Sequence, residues 1–214
     1  MSLLRIIFGN KTYLAKYEST IQSVKIGGRA YPITRIGNQL WLAENLDFKW
    51  DNLIIGSSGT SSSEMRANYY DNDEATYGIR GNKYGLLYNW ASVDYLNTHK
   101  NELLPDGWHV PTTAEFDALA TAVGGTSVAG TKLKSTTDWS SGAGTDDYVF
   151  SAFPAGLYDG NFKNIGSYVY FWTPVEYNSS RAYGIYFSTD SRMYFDNFNK
   201  VYRYCSVRLV KDAT

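Results

Sequence analysis

The chain reads as an α+β domain, with helices in its first two thirds and short antiparallel strands in its last third. Three features of the sequence predict this. Glycine turns at Gly27-Gly28 and Gly37-Asn38 divide short alternating runs. Apolar residues fall at helical spacing over 84–96, and again behind a capping signal at Thr112. Beyond Tyr148 the chain becomes a series of short aromatic and β-branched runs, the residue types that favour strands. At 214 residues it suits one domain of generous size, or one domain with an N-terminal extension.

Residues 1–23 read as that extension and 24–214 as the domain. LLRIIF alternates and a polar tract through Glu18, Ser19 and Thr20 follows, so an attachment or oligomerisation arm and an edge strand covering the domain both fit. From Val24, VKIGGRAYPITRIGNQLWLAENLDF predicts a hairpin or meander that buries Trp41, Leu42 and Leu46. The Ser/Gly-rich and then acidic run over 54–82 predicts a long surface excursion. It holds Asp71, Asp73 and Glu74. Ala75 stands where an EF-hand needs its third oxygen ligand and no glycine follows, so a solvated loop is expected rather than a calcium site.

YGLLYNWASVDYL, 84–96, places Leu86, Leu87, Trp90, Val93 and either Asp94 or Leu96 at helical spacing and predicts a buried amphipathic helix. The next helix is better marked. Pro111 precedes Thr112 as N-cap, Glu115 is its reciprocal partner three residues on, Phe116, Leu119 and Val123 form the stripe, and Gly124-Gly125 end it. Over 129–150 turn formers dominate, predicting loops with short strands. YVFSAF, 148–153, reads as a strand stopped by Pro154-Ala155-Gly156, and further antiparallel strands are predicted over 167–172, 182–187, 192–195 and 206–211.

Composition excludes several functions. Twenty basic against twenty-one acidic side chains, with no basic cluster, leave no footprint for nucleic acid. No window approaches the roughly 18 apolar residues of a membrane span. The apolar run from Leu3 to Phe8 is broken by Arg5 and is too short for a signal-peptide core. An extracellular, cell-surface or virion location is therefore expected either with a targeting segment outside this chain or without one, as for a virion component released by lysis. The single Cys205 makes no intrachain disulfide, and His99 and His109 lack partners at metal-ligand spacing, so no metal, cofactor or catalytic constellation is expected. His109 reads as a satisfied structural residue. Trp41, Trp90, Trp108 and Trp172 read as core.

Ten of the nineteen tyrosines lie between Tyr148 and Tyr204, interleaved with Asn, Ser, Asp and Arg. Tyrosine gives large contact area with few rotors to freeze, and small polar neighbours give adaptable hydrogen bonds, which is the composition of antibody-like binding surfaces. With Tyr183, Ile185 and Phe187 inward, Tyr186 and Ser188 face out by the two-residue period. Met193 and Phe195 inward would send Arg192, Tyr194 and Asp196 out, and Cys205, Val207 and Leu209 inward would expose Tyr202 and Tyr204. The candidate ligand-binding set is therefore Tyr186, Arg192, Tyr194, Asp196, Tyr202 and Tyr204, joined by Asn178, Arg181 and Phe198 from loops. A one-residue slip reverses each group, and cross-strand packing of individual rings is the competing reading.

The motifs GNQLWLAENLD, NDEATYG, YGLLYNWASV, DGWHVPTTAEFDAL, AGTKLKST, NIGSYVYFWTPVEY and SVRLVKD, in that order over roughly 24–212, resemble the Fibrobacter succinogenes major paralogous domain family, abundant in Bacteroidetes and their phages. That family resembles the formylglycine-generating-enzyme branch of the C-type lectin fold. The resemblance implies two helices, a small antiparallel sheet, N- and C-terminal strands pairing near one another, and long irregular loops. It also implies that Glu115 and Arg208 form a structural pair tying helix to terminal strand. The enzymes of that branch use two active-site cysteines and this chain has one; the acid-Pro-Asn and Trp-Asn-Asp runs of calcium-dependent lectins are absent. The same branch contains the variable proteins of diversity-generating retroelements, whose diversified positions carry Tyr, Asn, Ser, Asp and Arg, as 178–204 does here. Two departures stand out. Tyr204-Cys205 replace the usual Gly-aromatic, which implies an extra rim tyrosine. Trp172-Thr173-Pro174 replace Trp-Ser-Ser, and Pro174 restrains the local turn.

The expected function is non-enzymatic recognition of a protein or glycan on a target surface, by a phage receptor-binding or bacterial surface protein. The alternative is a structural or adhesive subunit whose tyrosine face is buried against sister chains in a homo-oligomer.

Overall fold

The structure, a computed structural model, describes residues 3–8, 11–16, 22–56, 59, 63–77 and 83–213, the first two ranges as backbone strands. Strands β1 (Leu3–Phe8) and β2 (Lys11–Lys16) pair antiparallel in a two-stranded sheet of their own. The predicted meander follows as β3 (Ser23–Ile26), β4 (Arg29–Ile36) and β5 (Gln39–Leu42), with Trp41, Leu42 and Leu46 fully buried. The excursion contains β6 (Ile54–Ile55), β7 (Arg66–Asn68) and a single turn, α1 (Glu74–Tyr77). In it Asp73 accepts from the Thr76 N–H, and Glu74 pairs with Lys49.

The predicted helix over 84–96 is split. Leu87–Asn89 forms strand β8, and helix α2 starts at Trp90 and runs to Thr98, because Asn89 caps it by accepting from the Ser92 N–H at 3.1 Å. After the turn α3 (Lys100–Leu103) comes α4 (Thr113–Ala122) with the complete predicted capping box: Thr112 Oγ1 accepts from the Glu115 N–H, and Glu115 Oε2 from the Thr112 N–H at 2.8 Å. Helix α5 (Thr126–Leu133) stands where loops and strands were expected. Conversely 148–153 is not a strand, because Val149 and Ser151 adopt left-handed φ of 55° and 52°.

The last third holds β9 (Ala155–Tyr158), β10 (Phe162–Ile165), β11 (Val169–Asn178), β12 (Arg181–Phe187), β13 (Met193–Asn199), β14 (Tyr204–Cys205) and β15 (Val210–Asp212). The chain is β-rich. One four-stranded sheet has the order β15-β5-β4-β3, so the terminal strand lies on an early one. The main sheet, larger than expected, has nine strands in the order β13-β12-β11-β9-β14-β8-β7-β6 with β10 on β9. Pro174 does not stop β11, but the register to β12 shifts between Trp172 and Glu176.

Both faces of β11 and β12 are covered. Tyr170, Trp172 and Ala182 join one apolar cluster with Trp90, Trp108 and Leu209; Val169, Phe171, Ile185 and Phe187 join another with Trp41, Phe116 and Leu133. Arg208, fully buried, ties the frame together. Its guanidinium donates to Asn45 Oδ1 and to the carbonyls of Leu42, Phe150 and Ser151 at 2.6–2.9 Å, and lies 4.6 Å from the Phe150 ring. Burial lowers its pKa to about 9, with Asp146 and Glu44 opposing the shift, so it stays cationic at neutral pH. Glu115 is not its partner. That carboxylate is taken by His109, 2.6 Å away, and by Thr112, and so secures the bridge between His109 and Val210.

Candidate binding surface

The antiparallel register sets Tyr170 opposite Tyr186 and Tyr186 opposite Tyr194, across β11, β12 and β13. Because side chains alternate along each strand, Tyr168 lies beside Tyr170 on the same face. The result is one row of rings. Centroids are 5.6 Å apart for Tyr168 and Tyr170, 5.6 Å for Tyr170 and Tyr186, and 4.7 Å for Tyr186 and Tyr194; the first and last pairs are parallel within 8°. Stacked rings cover one another's faces; Tyr168, Tyr186 and Tyr194 remain half-buried, and Tyr170 is buried beneath them.

Polar contacts fix an inner member of the row and one of its ends. Asn164 Nδ2 donates to the Tyr170 hydroxyl at 3.1 Å, and the Tyr194 hydroxyl donates to Asp190. Burial pushes the Tyr170 phenol up to about 12. Tyr186 is raised by burial, then by the nearby Asp196 carboxylate, and Tyr194 by its bond to Asp190. Beside the row the Arg203 guanidinium lies 4.8 Å over Phe198 and 5.8 Å from the Tyr170 ring, with Asp159 3.6 Å away. On the opposite face, Tyr177 and Tyr183 pack edge to face at 5.3 Å, with Tyr177 52 % exposed.

The nine candidates from sequence divide into three groups. Tyr186 and Tyr194 are half-buried members of the row, and Arg192, Asp196 and Tyr202 are exposed. Asn178 and Arg181 are exposed but occupied: Asn178 Oδ1 accepts from the N–H groups of Ser180 and Arg181, shaping the turn, and Arg181 donates to the side chain and carbonyl of Asn197. Asp196 accepts from the Asn197 N–H at 2.7 Å, so both main-chain groups of that residue on the edge strand β13 are taken by side chains.

Phe198 and Tyr204 are corrections. Phe198, 1 % exposed, packs on Trp172 and Tyr170 and fills the space left by Gly184, where a Cβ would come within 2.4 Å of its ring. Tyr204, fully buried, pairs in β14 with Asn89 and Tyr158, and its hydroxyl donates to the Gly59 carbonyl at 2.6 Å; the supposed extra rim tyrosine is core. Phe195, expected inward, is 39 % exposed on the edge strand. Tyr168, Tyr170, Tyr177, Tyr183 and Arg203 were absent from the set. The Tyr-x-Tyr spacing of 168 and 170 marks them as sharing a face, and their neighbours across the sheet required the register.

Burial pushes the Cys205 thiol far up, and His109 is held by Glu115 and the Gly107 carbonyl. Among the described residues no group of three or more His, Cys, Asp or Glu could hold a metal ion, and no helix is long and apolar enough to cross a membrane. Trp50 and Trp139 are buried, as are the four tryptophans expected in the core. Two cavities, of about 250 Å³ beside Arg29, Asp47 and Lys49 and about 340 Å³ along the outer side of α2, lie apart from the tyrosine row.

The profile of the Fibrobacter succinogenes major domain family matches residues 34–211. No curated protein and no solved structure matches the chain.

Proposed function

The chain belongs to the Fibrobacter succinogenes major domain family, and from that premise we propose that it is a non-enzymatic recognition protein whose binding surface is the tyrosine row of β11, β12 and β13 with its polar margin. The observation that carries this is the row itself. Half-buried Tyr168, Tyr186 and Tyr194 are held by ring contacts around the buried Tyr170, so little conformational entropy remains to be lost when a partner covers them. Rings whose faces already stack on one another suit the polar, uneven surface of a protein better than the flat stacking that sugars use.

In the same proposal the fold is C-type-lectin-like, of the formylglycine-generating-enzyme branch; the pairing of β15 on β5 and the capped helix α4 beside it support this. The exposed positions between Tyr177 and Tyr202 are diversified by a retroelement, and the protein is displayed on a phage tail or bacterial surface. A neighbouring reverse-transcriptase gene, and a near-repeat of this coding segment differing at template adenines, would be found in the genome; a locus without the repeat removes diversification from the proposal.

The decisive binding experiment sets the purified chain against arrays of bacterial surface proteins and glycans, beside a Tyr186→Ser, Tyr194→Ser double variant. Capture by a surface protein that is lost in the folded double variant is the expected result, and indistinguishable binding of the two chains refutes the assignment. The exposed rings of Tyr177, Phe195 and Tyr202 favour a second reading, assembly with sister chains. Light scattering separates them, since a monomer leaves these rings free.

A further inference from the structure

The AGTKLKST segment ends helix α5 and carries a lysine that neither the fold nor the row accounts for. Lys134 is 1 % exposed and has no carboxylate within ion-pair distance among the described residues. Its ammonium instead donates to three carbonyls, of Gly142 at 2.5 Å, Ser188 at 2.8 Å and Asp190 at 2.7 Å, and sits 4.7 Å over the Trp139 ring. Three donors on one compact charge match three acceptors converging from two segments. Two of those acceptors belong to the turn between β12 and β13.

The same turn is gripped from both sides by main chain. A Cβ on Gly142 would lie 1.7 Å from the Thr189 oxygen, and one on Gly130 in α5 would lie 2.6 Å from the Arg192 oxygen. The Thr131 N–H donates to the Ser191 carbonyl at 3.2 Å, and the Ser191 hydroxyl to the Ser127 carbonyl at 2.9 Å. From this held turn the Asp190 carboxylate accepts from the Arg192 N–H and from the Tyr194 hydroxyl at the end of the row.

We propose that Lys134 is a positioning residue for the recognition surface: its buried ammonium fixes the turn at Ser188 and Asp190, and the Asp190 carboxylate in turn holds the Tyr194 ring in line. The proposal rests on reading the row as the recognition surface, but its test needs no ligand. A failure to find a partner therefore leaves it standing, and its own failure leaves partner binding standing.

Substituting Lys134→Met keeps the apolar stem and deletes the three donors. The readout is the titration of individual tyrosines, followed by NMR with carbon-labelled phenol rings and assigned with a Tyr194→Phe control. In the wild type Tyr194 titrates above its ordinary value, through its bond to Asp190. In K134M it is expected to fall back to about 10, while Tyr170, held near 12 by burial, stays put. Tyr194 unmoved in the folded variant overturns the proposal; so does a fall of both tyrosines, which is general loosening. Should K134M not fold, hydrogen exchange on the wild type decides. The Arg192 amide is expected to exchange at least about 100-fold slower than a free peptide, and free-peptide exchange there overturns the proposal.

Discussion

Replacing Arg208 by methionine tests the frame that carries the surface. The guanidinium makes four hydrogen bonds in a site closed to solvent, three of them to main-chain carbonyls. Charge-assisted bonds contribute about 1.5–3 kcal/mol each, a gross of about 6–12 kcal/mol. Relief from burying a cation returns several kcal/mol, and methionine refills most of the volume. A net loss of about 3–5 kcal/mol follows, a large share of the 5–15 kcal/mol typical of a domain. For a chain of this size that is about 6–20 °C in Tm. Urea and thermal unfolding give the number, and the damage should begin at one place. Asp146, Val149 and Ser151 hold left-handed φ angles that aim the Phe150 and Ser151 carbonyls at the guanidinium, so 146–151 should become the first protease-sensitive segment. A loss below about 1 kcal/mol would refute the reasoning, because the carbonyls would then have found other partners.

Two further outcomes are expected. His109 has its pKa raised by the bond to Glu115, and Glu115, despite burial that opposes it, has its pKa lowered by the bonds from His109 and Thr112. The histidine's contribution is complete below its ordinary 6.5 and fades as pH rises through its raised value; the glutamate's is complete above its ordinary 4.5 and fades as pH falls through its lowered value. The Tm gap between wild type and Glu115→Gln should therefore be widest between pH 4.5 and 6.5, and a constant gap from pH 4 to 8, measured by scanning calorimetry at about ten pH values, contradicts this. Separately, Tyr204→Ala should cost about 3–5 kcal/mol and Tyr202→Ala no more than about 0.5 kcal/mol in urea titrations. Equal costs would mean that the inside and outside of the last tyrosines have been exchanged.

Sequence carried the local features and lost those set by distant neighbours. The Thr112 and Glu115 cap and the glycine turns of the meander depend on residues within a few positions, and all formed as read. Phe198 and Tyr204 failed for other reasons. Phe198 was read as a loop residue but lies in β13, where the bare Gly184 lets its ring inward, and alternation failed at Tyr204 because the short β14 lies inside the main sheet with Tyr204 and Cys205 both buried. Helix α5 was missed because TSVAGTKL is built from small and polar residues, chosen to let Gly130 approach the main chain of 191–192 rather than to form an apolar stripe. YVFSAF has strand-like side chains on a backbone bent by Arg208, which lies 58 residues from Phe150. Leu86 and Leu87 do sit at helical spacing from Trp90, yet Asn89 with Ser92 three residues later was a legible cap. The tyrosine row was half legible, since composition located it and only the register joined Tyr170 to Tyr186 and Tyr194.

One residue of the edge strand β13 bears on how copies of such a chain meet. An open outermost strand invites its twin, and many copies tethered at high local density would zip into fibres or clumps. Here Asp196 and Arg181 take the N–H and carbonyl of Asn197, one position on that outermost strand. A twin strand laid along this edge would find neither of those two groups free, so its ladder would be interrupted there.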